Sequence, residues 1–363
     1  MSPATNSNAS PRRKSSPEKE KKENDGGFSM DDLGLMHHFV LYTSLVMDPM
    51  GSFAYQEIWQ VHVPCVAQQH PFLMHAVLGF AAAHKASLET GTGDDFVLLQ
   101  TARHHYSKAL VLFRTSVREI NPEQTANALL CYLILVCFLT LFLEFDKPEP
   151  ERCGIEDLLS LLTVLHGSIG VLANIRQHLN KSEFGVLLSH ARPGSIHPHA
   201  AASDVKLSLG QLEGMVVSRY GPFGMSSEST AIIDAIGKLM RMYTLTCPEP
   251  EDWAHILVWP ILLGEGNSSQ EFLGLLERKH PAALCVAAHW AVAAYNAPWK
   301  WHVADWPERL LRDIAKSLDG SEWFVCMEWP LMKTLGKKKR IPNTGHDVMG
   351  QESLSSGQAA TAF

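Results

Sequence analysis

The apolar segment ALLCYLILVCFLTLFL, at residues 128–143, constrains the fold of this chain because it must be removed from water. Its 16 residues fall short of the roughly 20 that a helix needs to cross about 30 Å of hydrocarbon. Glu123, Glu144 and Asp146 flank the segment, and only Lys147 nearby is basic, so the cationic anchors typical of a membrane interface are missing. The pattern therefore predicts the central helix of a large helical bundle and no membrane span.

Helical spacing of apolar residues recurs along most of the remaining chain. After Pro71, a favoured first-turn residue, apolar side chains follow at steps of three and four residues. The same spacing predicts further helices over Phe96–Phe113, Leu158–Ile175, Ile232–Tyr243, Phe272–Leu276, Ala282–Tyr295 and Leu310–Leu318. No stretch alternates with a period of two, so the predicted fold class is all-α, with one large bundle-like domain.

Polar and basic segments are predicted at both ends of the chain. Residues 1–28 carry Ser, Pro, Asn, Lys and Glu with almost no apolar side chain, which indicates a disordered arm. The folded all-α part is expected over residues 29–335, and residues 336–363 are expected to form a disordered tail with a basic cluster. The Pro- and Gly-containing stretch at 190–203 is the longest predicted internal loop.

Charge and cysteine content argue against a protein that binds nucleic acid through its phosphates and against a secreted disulfide-bonded protein. Residues 26–332 contain 20 basic and 32 acidic side chains, so this part does not favour phosphate contacts, and DNA contact is expected to be weak or indirect. The seven cysteines are an odd number and show no close pairing, which argues against a secreted disulfide framework and favours a reducing compartment.

Residue patterns that would indicate catalysis or metal binding are weak. Zinc-ligand pairs such as C-x2-C are absent, and the neighbours His37/His38 and His104/His105 lie in helical patterns where adjacent side chains diverge by about 100°. The sequence HGSIG, with Ser168, resembles a nucleophile elbow, but a helical pattern rather than a strand precedes it. We therefore predict no catalytic residue, metal site or cofactor, and no enzymatic activity.

Tryptophan is concentrated in the last third of the chain. Eight of the nine tryptophans lie there: Trp253, Trp259, Trp290, Trp299, Trp301, Trp306, Trp323 and Trp329. Such density is typical of a packed core, and it is also found where aromatic side chains line an apolar ligand cavity. The sequence leaves both interpretations open.

Four consecutive basic residues, Lys337, Lys338, Lys339 and Arg340, lie in the polar tail. Basic clusters of this kind are recognised by nuclear import receptors, and they also occur as plain solvated charge. These four residues are the nuclear-import candidate, and a nuclear location is predicted.

Several segments in fixed order resemble the regulatory domain of fungal zinc-cluster transcription factors, in the branch of the sterol-uptake regulators. They include VPCVAQQHPFLMHAVLGFAAAH at 63–84, ARHHYSKALVLFR at 102–114, LLSLLTVLHGSIGVL at 158–172 and FLGLLERKHPAALCVAAHWAV at 272–292. The resemblance implies an all-α domain that responds to a hydrophobic ligand or relays a signal to an N-terminal six-cysteine zinc cluster. Residues 1–28 contain no cysteine, so that cluster is expected to be absent here.

Two functions follow as hypotheses. The first is a non-enzymatic transcription regulator of fungal type that controls a sterol or secondary-metabolite gene set. It would act through a protein partner, either a DNA-binding factor or a second copy, with a hydrophobic small molecule as ligand. The alternative is a helical accessory enzyme or binding protein of a small-molecule biosynthetic pathway. Against an enzyme, the sequence shows no recognisable catalytic base, metal site or nucleophile.

Overall fold

The computed structural model describes residues 27–47, 53–89, 93–116, 121–145, 153–188, 203–221, 226–245, 256–297 and 301–334. These residues are helical apart from short turns, and none of them lies in a strand. The predicted all-α fold class is therefore confirmed. Several predicted segments lie outside the described residues: residues 1–26 of the arm, residues 190–202 of the loop, Trp253, Trp299 and the basic cluster Lys337–Arg340.

The α-helices are numbered in chain order. They are α1 Met30–His38, α2 Ser44–Val46, α3 Phe53–Glu57, α4 Val63–Ala67, α5 Pro71–Leu88, α6 Asp94–Ser116, α7 Pro122–Phe145, α8 Gly154–Leu179, α9 Ser203–Tyr220, α10 Ser227–Leu245, α11 Val258–Leu263, α12 Ser269–Glu277, α13 Pro281–Asn296, α14 Trp306–Leu318 and α15 Glu328–Thr334. Phe39–Thr43 and Ile58–His62 are π-helical, whereas Glu183–Leu188 and Glu322–Met327 are 3-10 helices.

Helix α7 contains the apolar segment and is longer than the sequence pattern indicated. Pro122 occupies the first turn of α7, where its missing N–H costs nothing. The apolar window Gln124–Leu143 spans 20 residues with a mean hydropathy of 2.4, so its length alone would suit a membrane span. Protein neighbours bury 78% of this window, as expected for a central bundle helix.

Two apolar cores meet along α7 and α8. The N-terminal core is formed mainly by α1–α7, and the C-terminal core by α8–α15 and the 3-10 helix Glu322–Met327. Helix α7 contributes Leu139 to the N-terminal core and Leu141 to the C-terminal core. Helix α8 begins in the C-terminal core at Leu158 and ends in the N-terminal core at Leu179. Both helices therefore tie the two halves together.

Candidate functional site

Three tryptophans of the C-terminal core behave as ordinary packing residues. Trp259, Trp290 and Trp306 are fully buried, and their rings lie in a row with centroid separations of 5.5 and 5.8 Å. Each indole N–H donates a hydrogen bond to a backbone carbonyl, at Ala235, Ile256 and Gly154 respectively. Because buried indoles usually find such a partner, these three support the packed-core interpretation.

Trp301 differs from these three tryptophans in both place and bonding. Although it belongs to the last third of the chain, its ring packs against the N-terminal core, with centroids 5.1 Å from Phe80, 5.0 Å from His84 and 5.1 Å from Phe142. Its Nε1 atom is buried, and no hydrogen-bond acceptor reaches it within the described part of the chain. A buried donor in this state is one that water or a ligand commonly satisfies.

His84 lies at the centre of this aromatic junction. Its Nδ1 atom is 3.0 Å from Thr43 Oγ1, and its ring centroid is 5.3 Å from that of His38. Burial lowers the pKa of His84 to about 4, so the ring is neutral at neutral pH. Burial also lowers the pKa of His38, whose buried Nε2 atom has no hydrogen-bond partner among the described residues.

The π-helical turn Phe39–Thr43 explains how His38 and Thr43 reach the same histidine. Five residues separate them, a spacing that places side chains about 140° apart on a regular α-helix. In the π-helical turn the Ser44 N–H donates to the Phe39 carbonyl, five residues earlier. Residues five apart therefore lie close to the same side of the helix, and π-turns of this kind are frequent at functional sites. We call the set His38, Thr43, Phe80, His84 and Trp301 the aromatic junction.

The chemistry of the aromatic junction suits binding rather than catalysis. Neutral imidazoles and an indole offer hydrogen-bond donors and acceptors within an otherwise apolar environment of Phe80 and Phe142. Pockets for apolar molecules combine such a surface with a few polar atoms that fix the orientation of the ligand. The junction could therefore recognise an apolar molecule that carries a hydroxyl or carbonyl group.

A second histidine pair fastens α1 to α5 and α6. His75 Nδ1 lies 2.8 Å from His105 Nδ1, and His105 Nε2 lies 3.1 Å from Asp32 Oδ1. Asp32 also accepts a hydrogen bond from the Ser29 N–H, which completes a capping box at the start of α1. Burial lowers the pKa of His75 to about 4, so this group too is neutral in the folded protein at neutral pH.

The neighbouring histidines of the sequence diverge, as their helical pattern indicated. His37 is exposed while His38 enters the aromatic junction, and His104 is exposed while His105 is buried. Over the described ranges, no three His, Cys, Asp or Glu side chains are placed to hold a metal ion. Ser168 lies within α8 with helix on both sides, so the strand-to-turn geometry of a nucleophile elbow is not present there.

Sequence reasoning missed the aromatic junction. It singled out the tryptophans as a group but gave no reason to separate Trp301 from Trp290, and it did not select His84 at all. The only available signal was the helical pattern around AAAH at 81–84, which places a histidine on an otherwise apolar stretch. The nuclear-import candidates Lys337–Arg340 lie outside the described residues, and the structure therefore does not place them.

Acidification should weaken the fold through the buried histidines. The pKa of His84 is about 4 in the folded chain against 6.5 ordinarily, so the unfolded chain takes up a proton at higher pH. Stability from this source is complete above about pH 6.5 and is lost as the pH falls toward about 4. In urea titrations, His84→Gln should reduce proton uptake on unfolding near pH 5 by about one proton. The unmodified chain is the comparison, and equal slopes in His84→Gln and the unmodified chain would contradict this role of His84.

The N-terminal part of the chain matches a known protein family. Residues 34–183 match the Fungal specific transcription factor domain. This range contains α1–α8 nearly completely, including His38, Thr43, Phe80 and His84 of the aromatic junction. The resemblance to the regulatory domain of fungal transcription factors is thereby confirmed.

Three curated relatives agree with this match. Sterol uptake control protein 2 of Candida albicans is 36% identical over 110 residues, which is 30% of this chain and 14% of the relative. Sterol uptake control protein 2 of Saccharomyces cerevisiae is 33% identical over 113 residues, covering 31% and 11% respectively. The Zn(2)-C6 fungal-type transcription factor afumD of Aspergillus fumigatus is 28% identical over 144 residues, covering 39% and 36%. The matched part of the chain thus spans less than a sixth of the two sterol uptake control proteins and little more than a third of the third relative.

Proposed function

We propose that this chain, whose residues 34–183 match a fungal transcription factor domain, regulates a sterol or secondary-metabolite gene set in response to a hydrophobic ligand. The domain match is the observation that carries the regulatory role. The names of two relatives, sterol uptake control proteins, support sterol as the ligand class. The chain is proposed to act as a non-enzymatic regulator in the nucleus.

The aromatic junction is the proposed ligand site. Its buried Trp301 Nε1 and His38 Nε2 atoms have no partner within the described ranges, and both residues contact the His84 ring. A sterol would offer a rigid apolar skeleton to Phe80 and Phe142 and a single hydroxyl to one of these nitrogens. Because Trp301 belongs to the C-terminal half, ligand contact there would act on both halves of the protein.

Promoter contact is proposed to go through a protein partner. Residues 26–332 carry 12 more acidic than basic side chains, so this part of the chain repels the phosphate backbone. The apolar side chains of Met30 and Leu33 on α1, and of Leu41 in the π-helical turn Phe39–Thr43, are exposed and provide a surface for a DNA-binding factor or a second copy.

A tethered reporter separates this function from the alternative of a biosynthetic accessory protein. The full chain is fused to a bacterial repressor DNA-binding domain in a fungal cell that carries a matching reporter. A regulator should change reporter output, and blocking sterol synthesis should shift that output further. Reporter output equal to that of the repressor domain alone would contradict a regulatory role.

A variant that removes the Trp301 N–H but keeps an aromatic ring at this position should bind the ligand more weakly. Trp301→Phe is expected to reduce the affinity of the purified chain for a fluorescent sterol analogue by about fivefold, since one neutral hydrogen bond contributes about 1 kcal/mol. Trp323→Phe in the C-terminal core is the matched control and should bind as the unmodified chain does. Equal affinity in the two variants would exclude Trp301 as a ligand contact.

The basic cluster should direct nuclear entry. Import receptors recognise clusters of consecutive basic residues, so replacing Lys337, Lys338, Lys339 and Arg340 with alanine should move a fluorescent fusion toward the cytoplasm. Alanine in place of Arg12, Arg13 and Lys14 is the comparison, because these bases form a weaker cluster. A nuclear signal unchanged by the first replacement would assign import to another segment.

A further inference from the structure

Three sulfur atoms converge in the C-terminal core. Cys285 lies on α13, Cys326 on the 3-10 helix Glu322–Met327, and Met215 on α9. The Cys326 Sγ atom is 3.3 Å from Met215 Sδ, and the Cys285 and Cys326 side chains are neighbours. The Cys285 thiol also lies 3.6 Å from the Trp323 carbonyl oxygen, within the same 3-10 helix as Cys326. Three separate elements thus bring one sulfur each to a common point.

We propose that Met215, Cys285 and Cys326 form a binding site for a soft monovalent metal ion, Cu(I). Two thiolates and one thioether are the donors that Cu(I) prefers over harder ions such as Mg²⁺ or Ca²⁺. The proposal is independent of the regulatory function above, since the site belongs to the C-terminal core and shares no residue with the aromatic junction.

The donor set selects against zinc. Structural Zn²⁺ sites use four ligands in tetrahedral arrangement, usually Cys or His. The nearest histidine on the same helix, His289, is fully engaged: its Nδ1–H donates to the Cys285 carbonyl at 2.7 Å, and its Nε2 lies 2.8 Å from Ser208 Oγ. Three sulfur donors without a free imidazole favour the low coordination number of Cu(I).

The three ligands are buried to different degrees, and the more exposed ones give the ion a route to the innermost. Cys285 is fully buried, Cys326 is 8% exposed, and Met215 is only partly buried. A thioether needs no deprotonation, so Met215 can receive the ion first and pass it inward.

Charges and protons balance in the binding of Cu(I), and no oxidant is needed. Cu(I) forms bonds to two thiolate sulfurs and one thioether sulfur, and the two thiol protons are released to solvent. Copper stays in the +1 state, and no disulfide forms. The complex then carries one net negative charge.

Competition with a copper chelator tests the site on the purified full chain. Under anaerobic reducing conditions, with bathocuproine disulfonate as competitor, the chain should retain one Cu(I), and X-ray absorption should show only sulfur neighbours. Cys326→Ser should lose more affinity than the roughly 10- to 100-fold typical of a supporting contact, because a ligand itself is removed. Met215→Leu should weaken binding less, and Cys65→Ser, which alters an exposed cysteine elsewhere, should not weaken it.

The two main variants lie at the less buried positions, and circular dichroism checks that they stay folded. Copper retained equally by Cys326→Ser and the unmodified chain would overturn the proposal. Nitrogen or oxygen neighbours at the metal would also overturn it, as would tighter binding of Zn²⁺ than of Cu(I). Formation of a Cys285–Cys326 disulfide without bound copper would assign these thiols to redox chemistry instead.

Discussion

The Asp157→Asn variant should lose about 3 kcal/mol or more of its free energy of unfolding, because it leaves a buried guanidinium without its carboxylate. Asp157 on α8 and Arg309 on α14 have 2% and 6% of their side chains exposed, and Oδ2 and Nη2 are 3.3 Å apart. Arg309 also contacts Asp305 at 3.1 Å, but that carboxylate is 66% exposed and compensates the buried charge weakly. Urea unfolding followed by circular dichroism measures the loss.

An exposed pair on the same helix is the control. Glu308 and Arg312 on α14 are 3.0 Å apart, with 56% and 66% of their side chains exposed. Glu308→Gln should change stability by less than about 1 kcal/mol, as is typical of surface pairs. Similar small losses in both variants would show that the Asp157–Arg309 pair is accessible to water in solution.

The position of the buried Asp157–Arg309 pair also helps to define where the folded unit around the matched domain ends. The family match stops at residue 183, yet Leu158, Leu161 and Leu162 of α8 are buried in the C-terminal core. A fragment of residues 34–183 would expose these leucines and Asp157 to water. The matched domain is therefore a part of a larger folded unit.

Helix periodicity predicted most of the fold for a physical reason. Long helices such as α5, α8 and α13 bury one face or all faces, so their apolar residues repeat at helical steps that the sequence displays. Helices α3 and α4 have only five residues each, too few to show a period. The π-helical turns were missed as well, because no residue type marks the extra residue that they accommodate.

The candidate site was less predictable because it depends on long-range contacts. Trp290 and Trp301 are 11 positions apart in the same aromatic-rich region, and their local sequences do not show which one lies in the C-terminal core. Only the packing of the 301–305 turn against α5 and α7 brings Trp301 to His84. Apolar spacing shows that a residue is buried, but it does not show which partner it meets.

Replacing Gly154 with alanine should have an effect of similar size, since this glycine lies where α8 begins against the backbone of α14. An alanine Cβ would lie 2.6 Å from both the N and Cα atoms of Leu310, and a helical backbone cannot move aside as a flexible side chain can. The Gly154 N–H donates to Asp313 Oδ2 at 2.7 Å, and its carbonyl accepts from Trp306 Nε1 at 3.3 Å. Separation of the two helices would strain both bonds, so we expect Gly154→Ala to lose about 3 kcal/mol, the upper end for overpacked cores.

Gly237→Ala on α10 provides the matched comparison for this variant. No heavy atom lies within 4 Å of the Cβ that would be added at Gly237, so alanine there should raise stability by up to about 1 kcal/mol through its better helix propensity. Because α14 begins five residues after Trp301, displacement of α14 in Gly154→Ala should also lower affinity for the sterol analogue, whereas Gly237→Ala should not. Thermal unfolding and ligand titration of the two variants measure both effects. Unchanged stability in Gly154→Ala would mean that α8 and α14 are farther apart in solution. A large loss of stability with unchanged ligand affinity would mean that the α8–α14 contact does not influence the aromatic junction.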